Sequence, residues 1–405
     1  MDIKISHDQK NLSGNLQITG SKSESNRLLI LKALYPNIEV ENISNSDDTQ
    51  VMQKALNSKD EEIDIHHAGT AMRFLTAYFA SREGREVVLT GSKRMQERPV
   101  KLLVDALESL GADISYEKNE GFPPLRIKGR KLEKNRVALQ ANISSQYISA
   151  LMLIAPSMPD GLEIKLEGQI TSTPYIQMTL EILQNAGIKG DFKKNIIQIQ
   201  PEKELSSKTI NIESDWSSAS YFYSIAAVCE EAEIKLSNYR KTSLQGDSCL
   251  AEIYEKFGVE TEYDKDTVIL RKKPWKRPKL ISENLHNSPD IAQTIAVTCL
   301  ALGIECQLDG LHTLKIKETD RLVALKTEME KFGARIDITQ NSLRLFPLKE
   351  LAANVSVETY NDHRMAMAFA PLALRVSLNI KDAGVVSKSY PSFWEDLEKL
   401  QFSVE

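Results

Sequence analysis

The chain has 405 residues, of which 41% are hydrophobic and 26% charged, and its formal net charge is -5. This length exceeds what one ordinary core holds, so two domains are predicted. The acidic balance argues against a general nucleic-acid binder, which needs an electropositive surface. Without a long apolar run or a signal core, we expect a cytoplasmic protein that does not enter a membrane.

Cysteine and histidine spacing argues against a disulfide framework and against a metal site. The four cysteines show no CxxC pair and lie in apolar or helical surroundings, which is typical of small buried thiols. They are Cys229, Cys249, Cys299 and Cys306. His66 and His67 are adjacent rather than four residues apart, a spacing that does not suit zinc.

In chain order, a strand followed by a polar helix start recurs along the sequence. The first case is a strand predicted at residues 16–19, which leads through residues 20–23 into an apolar helix. In each later helix start we choose one polar or glycine residue as a marker, and successive markers lie 72 to 75 residues apart. These markers are Gly69, Ser144, Ser217, Asp290 and Asp362. Such regular spacing indicates an internal repeat.

A second marker supports the repeat, because four helices end at a glycine just before a strand. Glycine adopts the left-handed conformation that stops a helix. The glycines are Gly111, Gly187, Gly258 and Gly333. We therefore expect six units of alternating helices and strands, three to a domain, with the small-residue helices packed inside and the sheets outside. The first helix start comes early, so its unit should be short or completed by chain from elsewhere.

Residues 315–322, Lys-Ile-Lys-Glu-Thr-Asp-Arg-Leu, place a dense charge cluster where a helix is predicted to begin. Apolar residues follow at helical spacing, at Leu322, Leu325, Met329 and Phe332. Lys317 and Arg321 at this helix start suit a phosphate or carboxylate ligand. Glu318 between them is a candidate proton carrier. A solvated helix start with ordinary ion pairs is the alternative.

Other cations and hydroxyls collect at the starts of the remaining helices, with Arg98 in a nearby loop. They are Lys22, Ser23, Arg27, Arg73, Ser144, Ser145, Gln146, Ser172, Tyr175, Asp290, Arg364 and Lys388. Taken singly, each is explained as a helix cap or a surface ion pair. Taken together, on two domains that face each other through helix N-termini, the cations predict a cleft for two anionic ligands. The sequence has no phosphate loop or dinucleotide fingerprint where one would be useful.

These motifs resemble the 5-enolpyruvylshikimate-3-phosphate synthase family over essentially the whole chain. The matching segments are residues 20–27, 68–73, 97–99, 144–146, 172–175, 289–290, 317–322, 361–366 and 387–388. The resemblance implies an α/β fold of two domains, each an inside-out barrel of three βαβαββ units with helices inside and sheets outside. It implies a shikimate 3-phosphate-binding domain at residues 20–213, a second domain of residues 1–19 plus 214–405, and an active site between them.

The activity implied by the resemblance is transfer of the carboxyvinyl group of phosphoenolpyruvate to the 5-hydroxyl of shikimate 3-phosphate, in the shikimate pathway to chorismate and aromatic amino acids. These small molecules are the implied partners, no metal or organic cofactor is required, and a monomer is expected. The alternatives are a sister transferase acting on UDP-N-acetylglucosamine and a non-catalytic anion-binding repeat protein. Residues 91–99 lack the cysteine typical of the sister enzyme, and the carboxylates of Asp290 and Glu318 disfavour a mere anion binder.

Residue roles also follow from the resemblance. Shikimate 3-phosphate would be held by Lys22, Ser23, Arg27, Ser144, Ser145, Gln146, Ser172, Tyr175, Asp290 and Lys317. Phosphoenolpyruvate would be held by Lys22, Gly69, Arg98, Gln146, Arg321, Arg364 and Lys388. The catalytic set would be Asp290 toward the 5-hydroxyl, Glu318 toward the methylene carbon, and Lys22. The chain departs from the family pattern at His66, His67, Phe74, Thr313 and Lys315, which bears on ligand affinity and on inhibition by glyphosate.

Overall fold

The computed structural model describes residues 1–140, 145–168, 170 and 173–405, without the side chain of Ile316. Ser144 and Ser172 lie outside the described residues. The strands are β1 (Ile3–Ser6), β2 (Asn11–Leu16), β3 (Ile38–Glu41), β4 (Glu62–Asp64), β5 (Glu86–Thr90), β6 (Asp113–Tyr116), β7 (Leu125–Lys128), β8 (Arg136–Gln140), β9 (Leu162–Glu167), β10 (Gly190–Lys193), β11 (Ile196–Ile199), β12 (Lys208–Asn211), β13 (Glu231–Ser237), β14 (Val259–Asp264), β15 (Thr267–Lys272), β16 (Leu280–Asn284), β17 (Glu305–Asp309), β18 (Ile336–Ile338), β19 (Leu343–Leu345), β20 (Val355–Val357), β21 (Leu378–Ile380) and β22 (Ser403–Val404).

The α-helices are α1 (Lys22–Leu34), α2 (Asp47–Asn57), α3 (Gly69–Ala80), α4 (Lys101–Leu110), α5 (Ser145–Ile154), α6 (Thr173–Ala186), α7 (Trp216–Val228), α8 (Leu250–Glu255), α9 (Ala292–Leu302), α10 (Arg321–Lys331), α11 (His363–Phe369) and α12 (Phe393–Lys399). Short 3-10 segments lie at Met95–Glu97, Ala155–Ser157, Gly246–Cys249, Pro289–Ile291, His312–Ile316, Ala370–Leu374 and Ala383–Lys388. Within the described part of the chain, no helix is long and apolar enough to span a bilayer.

The chain divides into two compact units. One, called here the continuous unit, is Gly20–Ile212. The other, the discontinuous unit, consists of Met1–Thr19 together with Glu213–Glu405. The backbone leaves the discontinuous unit after two strands and returns to it at the start of α7, so both of its segments belong to the same core.

Four sheets share one topology, in which two parallel strands are followed by an antiparallel pair. Their strand orders are β4-β5-β7-β6 and β8-β9-β11-β10 in the continuous unit, and β2-β13-β15-β14 and β16-β17-β19-β18 in the discontinuous unit. In the sheet that begins with β4, α3 joins the parallel strands and α4 leads to the antiparallel pair. This is the βαβαββ unit.

The two remaining sheets are completed by chain from far away in sequence. In the order β20-β21-β1-β22, the N-terminal strand β1 lies between β21 and β22, with Ile3 opposite Ile380 and Ile5 opposite Val404. In the continuous unit, β3 pairs in parallel with β12, which comes at the end of that unit. The first unit is therefore both short and completed by a distant strand.

Helices form the interior of each unit because their small and apolar residues are buried on all sides. In α9, residues Ala292–Ala301 are buried without interruption, and this helix packs against α7 and α11. In the sheets, by contrast, burial alternates along each strand, as in β13, where Ala232, Ile234 and Leu236 are buried and their neighbours are not. Helices inside and sheets outside follow from these two patterns.

Local details agree with all four predicted glycine stops but correct one strand. The four predicted glycine stops all have positive φ, from 77° at Gly258 to 109° at Gly111. The strand predicted at residues 16–19 was wrong in position: β2 ends at Leu16, because Leu12 and Leu16 point inward at alternating positions while residues 17–19 have left the sheet. Cysteines are free thiols, buried at three positions and half-buried at Cys249.

Candidate active site

A buried guanidinium, Arg321, is the centre of the charged cluster in the discontinuous unit. Its Nε donates to Asp362 Oδ2 at 2.6 Å, its Nη1 to Asp290 Oδ1 at 2.9 Å, and its Nη2 to Glu318 Oε2 at 2.9 Å. Burial alone would lower the pKa of Arg321, but the carboxylates of Asp362, Glu318 and Asp290 outweigh burial and raise it. One cation therefore holds three carboxylates together.

Helix starts bring these groups to one place. Asp320 caps α10 by accepting from the N–H groups of Leu322 and Val323 at 3.1 and 3.2 Å, so the helix begins at Arg321. Asp362 caps α11 and accepts from the Arg364 N–H at 2.9 Å. The Asp362 carboxylate thus both caps α11 and binds Arg321.

Asp290 lies in the 3-10 segment before α9 and faces three cations. Besides Arg321, Lys317 Nζ lies 3.3 Å from Asp290 Oδ1 and Arg364 Nη2 lies 3.4 Å from Asp290 Oδ2. Burial opposes ionisation of this carboxyl, but Lys317, Arg364 and Arg321 together hold its pKa well below its usual range. Asp290 is therefore a carboxylate and a weak base as long as these cations face it.

Arg364 makes further contacts in this group, and one more cation, Lys388, borders it. Arg364 donates from Nη1 to the Asp290 carbonyl oxygen and from Nη2 to Ser217 Oγ, both at 3.2 Å. Burial lowers the pKa of Arg364, but the neighbouring acids, Asp290 above all, raise it well beyond the ordinary value. Lys388 donates from Nζ to the carbonyl oxygen of Asn361 at 2.6 Å, next to the start of α11.

The cations of this cluster are already paired with carboxylates of the same cluster. Asp290, Glu318 and Asp362 are each paired with Arg321, and Asp290 also with Lys317 and Arg364. An anionic ligand must therefore compete with carboxylates that are already in place. Asp362 was expected only as the marker of a helix start, since no local pattern indicates that its carboxylate binds Arg321.

In the continuous unit, Arg27 is buried among helices. Its Nε donates to Thr179 Oγ1 at 2.8 Å, Nη1 to the Ser23 carbonyl at 2.8 Å, and Nη2 to Ser149 Oγ and the Tyr175 carbonyl at 3.2 and 3.4 Å. Burial lowers its pKa to about 10, where it is still a cation at neutral pH. Four of its five N–H groups are thus engaged within the described structure, and one on Nη1 is left for a ligand.

Phe74, a departure from the family pattern, packs against the same guanidinium. Its ring centre lies 5.4 Å from Arg27 Cζ, and the ring is buried. Two other departures make ordinary polar contacts, and a third does not. Lys315 donates to Gln340 Oε1 at 2.6 Å, His67 Nδ1 lies 2.7 Å from Ser92 Oγ, and the buried Thr313 hydroxyl has no hydrogen-bond partner among the described atoms.

Arg98 lies directly against Gly69 at the start of α3. A Cβ built on Gly69 would be 2.5 Å from Arg98 Nη1, so only glycine leaves room for this arrangement. Buried Arg73 ties the two segments together by donating to the Gly69 carbonyl at 3.0 Å and the Pro99 carbonyl at 3.1 Å. Arg98 itself makes no ion pair with any residue the structure describes, which leaves its charge available for a ligand.

The other predicted site residues of the continuous unit lie at the starts of α1, α5 and α6. Lys22, in the first turn of α1, pairs with Asp48 Oδ2 at 3.3 Å. Gln146 donates to Thr70 Oγ1 at 3.1 Å, which brings it beside the Gly69 segment. Ser145, buried, begins α5. The contacts thus unite Ser23, Arg27 and Tyr175 in one group and Gly69, Arg98 and Gln146 in another.

Sequence reasoning missed Asp247. This buried residue accepts a hydrogen bond from Ser217, the same hydroxyl that accepts from Arg364. Burial and the nearby Asp290 carboxylate raise the pKa of Asp247 to about 6, against the opposing charge of Arg364. Its sequence neighbours, Gln-Gly before it and Ser-Cys after it, carry no recognisable signal.

The chain is similar to known proteins in sequence and in fold. Residues 53–397 match the family model described as EPSP synthase (3-phosphoshikimate 1-carboxyvinyltransferase). The chain is 45% identical over 399 residues to a Bacteroides fragilis protein named 3-phosphoshikimate 1-carboxyvinyltransferase, covering 97% of each. It is 35% identical over 423 residues to a Mannheimia haemolytica protein of the same name, covering 96% of this chain and 97% of that one. The Acinetobacter baumannii EPSP synthase structure aligns with a TM-score of 0.81 at 20% identity, over 100% of this chain and 99% of that one, and confirms the α/β fold class.

Proposed function

The chain belongs to the EPSP synthase (3-phosphoshikimate 1-carboxyvinyltransferase) family, and we propose that it transfers the carboxyvinyl group of phosphoenolpyruvate to the 5-hydroxyl of shikimate 3-phosphate, releasing phosphate. The observation that carries the mechanism is the pair of carboxylates, Asp290 and Glu318, held by Arg321. Relatives named for this activity at 45% and 35% identity favour it over both the UDP-N-acetylglucosamine transferase and an idle anion binder.

Phosphoenolpyruvate binding is assigned to Arg364 and Lys388 in the discontinuous unit and to Lys22, Gly69, Arg98 and Gln146 in the continuous unit. Arg321 joins them once it is freed from a carboxylate. Glu318 is the carboxylate to be displaced, because its side chain is 29% exposed against 12% for Asp290 and 0% for Asp362. Ligand binding then releases Glu318 at the moment it is needed as an acid.

In the chemical step, protonated Glu318 gives its proton to the methylene carbon of phosphoenolpyruvate. The 5-hydroxyl oxygen attacks the neighbouring carbon, and its proton passes to Asp290. The resulting tetrahedral intermediate returns a proton from the new methyl group to the Glu318 carboxylate and expels phosphate, which leaves with the electron pair of its C–O bond, so the enol ether forms. The hydroxyl proton on Asp290 passes to the released phosphate, and both carboxyl groups return to their starting states. Surrounding cations stabilise the anionic groups throughout.

Asp290 becomes a better base when the substrates are bound. In the free site its pKa is held down by Lys317, Arg364 and Arg321. When ligand phosphate or carboxylate oxygens bind these cations, their charge is offset and the pKa of Asp290 rises toward its usual value. Ligand binding thus both frees Glu318 to act as the acid and makes Asp290 a stronger base.

Shikimate 3-phosphate is assigned to Lys22, Ser23, Arg27, Ser145, Gln146 and Tyr175, with Lys317 and Asp290 from the discontinuous unit. Ser144 and Ser172 belong to this assignment but lie outside the described residues. Among the residues that the structure describes, Arg27 already donates four of its five N–H groups. Hydroxyl and amide groups must therefore supply most of the remaining hydrogen bonds.

The test measures phosphate release from phosphoenolpyruvate with and without shikimate 3-phosphate. Wild-type protein should release phosphate only when both are present, while Asp290→Asn and Glu318→Gln should release little. Two matched controls, Asp337→Asn and Glu330→Gln, make the same chemical changes at exposed positions and should behave as wild type. Phosphate release that does not depend on shikimate 3-phosphate would refute the assignment.

A cytoplasmic monomer is the remaining part of the proposal. The binding groups assigned above all belong to one chain, which supports the monomer. A sedimentation mass well above 45.5 kDa at working concentration would contradict it.

A further inference from the structure

A polar chain runs from buried Asp247 to the charged cluster. Ser217 Oγ donates its one hydrogen to Asp247 Oδ2 and accepts from Arg364 Nη2 at 3.2 Å. Arg364 in turn donates to the Asp290 carbonyl oxygen at 3.2 Å. A hydroxyl has one hydrogen and two lone pairs, so a carboxylate that takes the hydrogen leaves the lone pairs for the guanidinium.

Asp247 is a costly residue for the fold. Its side chain is 6% exposed, in the 3-10 segment Gly246–Cys249, and no cation pairs with it directly in the described structure. The other charged or titratable groups around it are the carboxylates of Asp290 and Asp215, the thiol of Cys249 and the Arg364 guanidinium. Two of its neighbours thus repel a carboxylate, and burial adds to that cost.

Helix capping does not account for Asp247 either. The cap of α7 is Asp215, whose Oδ1 accepts from the Ser218 N–H at 2.9 Å. A neutral side chain at position 247 would avoid placing a charge beside Asp290, although its acceptor would hold the Ser217 hydrogen less strongly than a carboxylate does. A buried carboxylate that lowers the stability of the fold is therefore expected to have a functional role.

We propose that Asp247 is a positioning residue for phosphoenolpyruvate: acting through Ser217, it holds the Arg364 guanidinium in the orientation that binds the anionic end of this substrate. The inference deepens the proposed function and rests on it for the assignment of Arg364. Asp247 touches neither substrate nor reacting atoms in this scheme. Its effect is therefore on KM for phosphoenolpyruvate and only slightly on kcat.

The positioning role depends on pH. The carboxylate form of Asp247 orients Ser217, and this form is lost as pH falls through about 6, the pKa of the buried group. Stability changes in the opposite sense. A carboxyl whose folded pKa is raised stabilises the fold below its unfolded pKa, and that contribution is lost as pH rises through about 6. Asp247→Asn should therefore bind substrate worse at pH 8 without lowering Tm there.

The experiment compares wild type, Asp247→Asn, Ser217→Ala and the double variant by steady-state phosphate release. Each single variant should raise KM for phosphoenolpyruvate about tenfold, the scale of one charge-assisted hydrogen bond, and should leave KM for shikimate 3-phosphate within twofold. The double variant should be no worse than the worse single variant, because both changes break the same bridge. Additive losses would show that Asp247 does not act through Ser217 and would overturn the proposal.

A pH series separates positioning from simple packing. The ratio of kcat/KM for phosphoenolpyruvate, wild type over Asp247→Asn, should be large at pH 8 and approach one below pH 6. Ionisation of the substrate phosphate cancels in this ratio. A ratio that does not change with pH, or an unchanged KM in Asp247→Asn, would refute the inference while an active wild type leaves the proposed function standing. If Asp247→Asn does not fold, Ser217→Ala alone must still raise KM for phosphoenolpyruvate.

Discussion

Replacement of Gly69 by alanine is expected to weaken the phosphoenolpyruvate site without weakening the fold. The new methyl group would lie 2.5 Å from Arg98 Nη1 and 3.1 Å from its Cζ. Nonbonded carbon and nitrogen atoms are favourable at about 3.5 Å, so the guanidinium must move by roughly 1 Å. It can move, because the clash is with the far end of a flexible side chain rather than with backbone.

The cost follows from what Arg98 binds. A charge-assisted hydrogen bond contributes about 1.5–3 kcal/mol, and every 1.4 kcal/mol is a factor of about ten. Gly69→Ala should therefore raise KM for phosphoenolpyruvate roughly 10- to 100-fold. Glyphosate, whose carboxylate and phosphonate should fill the same cationic half-site but with a longer body, should lose more affinity than the substrate does. Tm should stay the same or rise, because alanine favours a helix over glycine by about 0.5–1 kcal/mol.

The assay is steady-state kinetics with glyphosate inhibition, alongside thermal unfolding. Gly384→Ala is the matched control, since a Cβ there meets nothing within 4 Å. In an Arg98→Ala background, Gly69→Ala should add less than about twofold to KM, because no guanidinium remains to be displaced. The reasoning fails if Gly69→Ala leaves KM for phosphoenolpyruvate unchanged, or if its full effect persists in that background.

Four shorter predictions follow from the same contacts. Asp290→Asn and Glu318→Gln should each lower kcat at least about a hundredfold while KM values change only a few-fold, the pattern for loss of an acid or base; kinetics with near-normal kcat in both would contradict their roles. Lys22→Met should raise KM for phosphoenolpyruvate about tenfold or more, since it removes a charge-assisted contact to a small anion, and isothermal titration would detect it. Fosfomycin, an epoxide that alkylates the loop cysteine of the sister transferase, should leave the protein unmodified, because residues 91–99 contain no cysteine. A mass increase on the peptide that covers these residues would refute this. Arg27→Lys should lower the free energy of unfolding by about 2–3 kcal/mol in urea titrations, since a lysine cannot replace four buried guanidinium hydrogen bonds.

The repeat and the helix ends were predictable from sequence because they depend on rules that act over a few residues. Asp320 caps α10 through N–H groups two and three positions away, and Gly333 stops the same helix by its positive φ. Polar helix starts recur at a nearly fixed spacing from Gly69 onward, so the repeat is visible in the sequence, whereas its short first unit is not. Residue types alone also placed cations at these starts, where free backbone N–H groups favour anions.

Only the tertiary structure shows which distant strands pair with each other and which carboxylates the cations bind. Strand β1 completes a sheet with β21 and β22, and β12 pairs with β3, although their sequence positions lie far apart. Pairing of this kind depends on which sheet edge is open and in register, which no local pattern encodes.

The same holds for the site. Arg321 and Asp362 are 41 positions apart, and Asp247 reaches Arg364 only through Ser217. Nothing in the neighbouring residues of Asp247 distinguishes it from an ordinary loop residue, and Asp362 was a marker of a helix start with no assigned role. Their roles come from burial beside charged groups of other elements. That environment exists only once the helices have packed. Packing excludes water, and without water the interaction between neighbouring charges is stronger.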